Sequence, residues 1–179
     1  DAEARKRHQA FLDFMIPIVK GCRTETAQEV ASLGIQVHGG MGFIEEAGAA
    51  QHFRDARITT IYEGTTGIQA NDFIGRKTAR DGGAIARVVG QEMEAVASEL
   101  ARHGNADLAA IGTRLAEGVR AVRTAAEWIV AANSANPRAA HAVAVPYLRL
   151  WGLVTGAWQL GRGALVAARH LSDGVGDAR

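Results

Sequence analysis

Apolar residues recur at steps of three and four through most of the 179-residue chain, the period of an amphipathic helix. Ile85, Val89, Met93, Val96 and Leu100 line one face of a predicted helix. The stretch "HGNAD" breaks it, with Asn105 or Asp107 as candidate N-cap. Leu108, Ile111, Leu115, Val119, Val122, Ala126 and Ile129 make the next stripe, and "NSANP" turns the chain. The last helix carries Tyr147, Leu150, Trp151, Val154, Trp158 and Leu165, with Pro146 expected to kink or break it. Three helices with short connections predict an antiparallel bundle.

The first half is less regular. Helix is predicted over 2–15. A second starts at Pro17, whose missing N–H has no partner in a first turn, and stops at Gly39-Gly40. The loop "GGMGFIEEAG" follows, then a short helix over 48–56, an extended run over 57–62 and a helix over "TTGIQANDFIGRK". The expectation is an all-α chain: a helical bundle over 1–80, divided at "RDGG" from a further antiparallel helical segment over 81–179. Its opening at Asp1, within a helical pattern, is what a piece of a longer protein would show.

Composition narrows the classes. Hydrophobic residues are 47% and charged ones 22%, ordinary for a folded chain. Net charge is +1 with no Lys/Arg block, which gives no electrostatic case for nucleic acid or an anionic membrane. The single cysteine, Cys22, excludes an intrachain disulfide and a Cys-based metal site; it reads as a small buried residue and fits a cytoplasmic location. The six histidines lack metal-ligand spacing, so no metal is expected. No run approaches the roughly 20 apolar residues of a membrane helix. Trp128, Trp151 and Trp158 sit at helical spacing among apolar residues and read as core.

Two stretches carry candidate chemistry. In "GIQVHGGMGF", three glycines in four positions let backbone approach a ligand. The stretch ends a helix and follows no strand, so it is no dinucleotide fingerprint; a helix C-cap and tight loop is the plainer reading. In "RITTIYEGTTGIQ", Glu63 stands just before a helix that Thr65 or Thr66 caps. It is either an acid favoured by the helix dipole or a general base made more basic by apolar neighbours. Composition does not choose between them.

"QVHGGMGF" followed by "RDARITTIYEGTTGIQ" resembles the C-terminal helical domain of flavin-dependent acyl-CoA dehydrogenases, over about residues 10–77. The Ala-rich tail from about residue 83 resembles, more weakly, the extension of larger members similar to 3-methylmercaptopropionyl-CoA dehydrogenase. The resemblance implies oxidation of an acyl-CoA thioester to the trans-2-enoyl-CoA with FAD as cofactor, and Glu63 as the base that removes the α-proton. In the family the base residue's own backbone N–H and a flavin hydroxyl stabilise the enolate. Gly64 matches the position that leaves room for the thioester, and Thr65 a residue contacting the flavin dinucleotide. Gln36, Gly39 and Gly40 match the segment that meets FAD bound by a neighbouring subunit. Gly67 replaces a Gln of many relatives and retains only a backbone contact. Arg54 and Asp55 match a structural element. A homodimer or homotetramer and electron-transfer flavoprotein as acceptor are implied too. The family's other two domains hold most of the pocket, so these residues alone are expected to be inactive. The alternative is a helical oligomerisation or docking module without chemistry.

Overall fold

The computed structural model describes residues 1–174 and is all-α, with no strand among the described residues. Residues 175–179, the end of the expected 81–179 segment, lie outside it. Helix α1 spans Ala2–His38. α2 (Gly40–Phe43) and a 3-10 turn (Glu45–Ala47) lead to α3 (Ala49–Thr59). α4 (Thr66–Asp72) runs directly into a π-helical stretch, Phe73–Ala79. α5 (Ala84–Ala101), α6 (Ala106–Ala135), α7 (Pro137–Ala142) and α8 (Ala144–Ser172) follow.

α3 folds back along α1, with Gln28 Nε2 donating to Phe53 O at 3.0 Å and Lys20 Nζ donating to Thr59 O. α4 reverses again. It descends α1 from the Thr66–Glu25 hydrogen bond to the Phe14–Phe73 ring contact, centroids 4.9 Å apart. The π stretch buries Phe73, Ile74 and Thr78 completely. At the "RDGG" joint, Asp81 carboxylate oxygens accept from the N–H groups of Gly83, Ala84 and Ile85, each at 3.0 Å, and so start α5.

The second region closes along most of its predicted stripes, with Ile111 left 43% exposed. Val89, Met93, Leu100, Val119, Val122 and Ile129 are at most 1% exposed; burying each large side chain stabilises by about 1.5–3 kcal/mol. α5 and α6 touch backbone to backbone, for a Cβ on Gly112 would stand 2.3 Å from Ala101 N. Asn105 is the N-cap of α6, accepting from the N–H groups of Asp107 and Leu108. Trp151 joins the regions: its ring lies edge-on to Phe14 at 4.9 Å, and Phe73 stacks on Tyr147 at 5.1 Å. One core therefore runs through both regions.

Several local expectations are corrected. α1 does not restart at Pro17 but continues through it. The lost hydrogen bond costs about 3 kcal/mol, and burial of Phe14, Pro17 and Ile18 on that face offsets it. Residues 57–62 are not extended: α3 runs to Thr59 and a turn follows. There Thr59 and Thr60 hydroxyls donate back to Ala56 O and Arg57 O, so the β-branched run is satisfied locally. "GGMGFIEEAG" contains a helical and a 3-10 turn. "NSANP" is helical to Ala135 and turns at Asn136. The final helix breaks at Val143, which leaves Pro146 in the first turn of α8. Trp128 is not core; it is 48% exposed, beside the buried Ile129. Cys22 is half-buried, with its thiol donating to Leu148 O at 3.4 Å.

Candidate active site

Glu63 sits at the tip of the turn between α3 and α4, with φ +52°. It is the only non-glycine with positive φ among the described residues. An L-residue there is strained by about 1–2 kcal/mol. Gly64 follows at φ +94°, where a side chain would meet Gln69 Nε2 at 2.8 Å. Thr65 then caps α4, its hydroxyl oxygen accepting from Ile68 N–H at 3.3 Å.

The turn is clamped from several sides. Lys20 donates to Thr59 O, and its ammonium lies 5.3 Å from the Tyr62 ring centroid. Arg57 Nη1 donates to the Thr60 hydroxyl, and the Thr66 hydroxyl donates to Glu25 Oε1. Gln69 Nε2 donates to Glu63 O at 3.3 Å. The backbone N–H of Glu63 has no hydrogen-bond partner among the described residues. The Glu63 side chain is exposed, and Ile61 and Tyr62 are themselves about half exposed, at 49% and 50%. The desolvation expected of its apolar neighbours is therefore not supplied by this chain.

The second candidate stretch closes α1. Gly39 takes φ 60° and ψ −143°, a region essentially reserved for glycine, and donates its N–H to Gln36 O at 3.1 Å. Gly42 is the tight position of this loop: a Cβ would stand 2.3 Å from Ile35 O. Gln36, Gly39 and Gly40 are exposed, with open space where Cβ atoms on Gly39 and Gly40 would lie. Gly67 is also exposed.

The structure brings Glu63, Gly64, Thr65 and Gly67 together and keeps Gln36, Gly39 and Gly40 apart from them. Glu25 marks the level of the first group on α1, and Gln36 lies about 16 Å further along at about 1.5 Å per residue. A groove of 810 Å³ between α1 and α8, with Cys22, Glu25, Thr66, Leu148 and Arg149 in its wall, includes neither Glu63 nor the glycine loop. Sequence reasoning missed Lys20 and Gln69. Lys20 acts on residues about forty positions away and left no local signal. Gln69 left one: a polar residue on the first turn of α4, facing back toward the acid. Among the described residues no group of three His, Cys, Asp or Glu could hold a metal ion, and no helix is long and apolar enough to cross a membrane.

Two family models match: acyl-CoA dehydrogenase, C-terminal domain, over residues 2–78, and acetyl-CoA dehydrogenase C-terminal like, over residues 89–179. 3-Methylmercaptopropionyl-CoA dehydrogenase of Ruegeria pomeroyi is 50% identical over 98% of this chain and 30% of its own length. Broad-specificity linear acyl-CoA dehydrogenase FadE5 of Mycobacterium tuberculosis is 47% identical over 48% of this chain and 14% of its own length. Butyryl-CoA dehydrogenase of Syntrophomonas wolfei is 44% identical over 42% of this chain and 13% of its own length. The chain thus spans less than a third of the length of these relatives.

Proposed function

The chain belongs to the acyl-CoA dehydrogenase family, and we propose that within the complete flavoprotein it supplies the base, Glu63, that takes the α-proton of an acyl-CoA thioester. The observation that carries this is the left-handed backbone of Glu63 at the tip of a clamped turn. Glycine would be cheaper there, and a helix-end acid gains nothing from the strain. Its backbone N–H is free to donate to the thioester carbonyl, where charge develops as the proton leaves. Gly64 keeps side-chain atoms away from that carbonyl. Bound FAD would supply the acceptor for the β-hydrogen as hydride, while Glu63 would hold the α-proton released as the α,β double bond forms.

The residues fit part of such a cofactor. Gly39 and Gly40 present backbone with open space beside it, Gly67 is exposed with the Thr65 hydroxyl 3.9 Å from where its Cβ would lie, and Thr65 stands at the head of α4. Following the family resemblance, Gln36, Gly39 and Gly40 are assigned to the cofactor of a neighbouring subunit, which requires self-association. Leu12, Ile16, Val19, Val30, Leu33 and Val37 on α1 are each more than half exposed, a stripe suited to such contact. A strictly monomeric complete protein that holds FAD stoichiometrically, by light scattering and flavin absorbance, overturns that placement of Gln36, Gly39 and Gly40.

The direct test is Glu63→Gln in the complete flavoprotein, which keeps size and removes the basic oxygen. With 3-methylmercaptopropionyl-CoA or butyryl-CoA, whichever reduces the wild-type flavin, anaerobic flavin reduction should slow by about 10²-fold or more. FAD and thioester binding should persist. Reduction at the wild-type rate would return Glu63 to a helix-end acid.

A further inference from the structure

We propose that Gln69 is a positioning residue for Glu63, an inference that rests on the reading of Glu63 as the base. Gln69 Nε2 donates to Glu63 O at 3.3 Å, a contact between two residues six apart with Gly64 enclosed beneath it. The carbonyl of Glu63 reports its ψ angle. Pinning that oxygen fixes the peptide between Glu63 and Gly64, and with it the Cα from which the Glu63 side chain projects. Gly64 puts up no barrier of its own, since glycine rotates freely where other residues do not. A left-handed Glu63 would relax by rotating about its N–Cα bond, which would swing this carbonyl away from Gln69. The amide of Gln69 therefore stands where the strained conformation is kept or lost.

Gln69 is itself well held. Its backbone N–H donates to Thr65 O at 2.9 Å in the first turn of α4. Its Cβ lies 3.7 Å from where a Cβ on Gly21 of α1 would be, so the stem rests on α1 while the amide reaches back. The partner is a carbonyl oxygen, which repels Oε1 and selects the NH₂ end of the amide. The absence of a side chain at Gly64 belongs to the same device: an alanine there would displace the amide from its place. Gly64 thus serves Gln69 as well as any ligand.

The test is a cycle in the complete flavoprotein: wild type, Gln69→Leu, Gln69→Met, Glu63→Gln and the Glu63→Gln/Gln69→Leu double variant. Anaerobic flavin reduction is followed with the same two thioesters against concentration. Loss of one hydrogen bond should lower the limiting rate about five- to tenfold in Gln69→Leu and in Gln69→Met, with FAD content and thioester affinity unchanged. In the double variant, removing Gln69 should add nothing to the loss from Glu63→Gln, because Gln69 acts only through that carboxylate. Unchanged rates in both Gln69 variants, beside an impaired Glu63→Gln, overturn the proposal and leave the base in place. Full additivity in the double variant, or loss of FAD in both Gln69 variants, assigns Gln69 to the fold and overturns it too. A Glu63→Gln variant that reduces its flavin normally removes the base and the proposal together.

Discussion

The regions 2–79 and 84–172 are both helical, and they treat their apolar residues differently. In the second, the stripes of α5 and α6 bury Val89, Met93, Leu100, Val119 and Val122 fully, and exposure is left mainly to the outer face of α8, at Leu153, Leu160 and Leu171. In the first, α1 buries Phe14 and Ile18 and leaves Val30, Leu33 and Val37 in the open, Val37 at 86%. Backbone strain divides the same way. Glu63 and Gly39 take their unusual conformations inside the first region, whereas Gly82 and Gly83 mark only the joint. The second region is thus built on a regular α5–α6 packing, and the first on turns held by individual polar contacts. The proposed base lies among these held turns, where a rigid neighbour carries the cost of strain.

The largest effect that sharpens the contrast lies where the regions meet. Tyr147 of α8 and Thr78 of the π stretch share a buried hydrogen bond of 3.2 Å. Burial pushes the Tyr147 phenol up to about 12 from 10.0, against the Thr78 hydroxyl, which pulls it down. Above pH 10.0 the unfolded chain loses this proton while the folded chain keeps it. The folded state then binds more protons, so stability falls as pH rises and stops falling near the buried phenol's own value. At about 1.4 kcal/mol for each pH step, roughly 3 kcal/mol disappears across that window. Urea midpoints measured between pH 9 and 12 should show the decline, and Tyr147→Phe should remove most of it. A Tyr147→Phe variant with the wild-type decline would mean that the phenol is solvated and that the two regions are not joined there.

The two regions were not equally legible. Stripes such as Ile85 to Leu100 announced their helices because burial follows the 3.6-residue period when neighbouring helices of the same chain cover the face. Trp128 escaped because its neighbour Ile129 took the buried direction, a turn of about 100° away. Pro17 and the 57–62 run were misread for a common reason. Local preference there is outweighed by distant partners: Phe73 and Trp151 against Phe14, and Lys20 against Thr59. Glu63 was legible by its setting, an acid between an apolar run and a Gly-rich turn. Its left-handed backbone was not, since that depends on Gln69 and α1. Gly42 hid among three glycines, although it alone meets backbone closely enough to require the missing side chain.

The smallest effect tests the strain itself. In an ordinary helix, replacing alanine by glycine destabilises by about 1 kcal/mol, because the freer unfolded chain loses more entropy on folding. At φ +52° the order should reverse. Glycine accepts the left-handed region without penalty, while alanine carries the Cβ clash of about 1–2 kcal/mol that Glu63 already bears. Glu63→Gly should therefore be about 1 kcal/mol more stable than Glu63→Ala, a difference of about 2–4 °C in melting temperature for a chain of this size. Glu63→Gly should also exceed the wild type slightly while losing the carboxylate, the pattern of a position kept for chemistry at the expense of stability. Differential scanning calorimetry of the three proteins decides it. If Glu63→Ala melts highest, the turn is relaxed in solution, and the first region stores no more strain than the second.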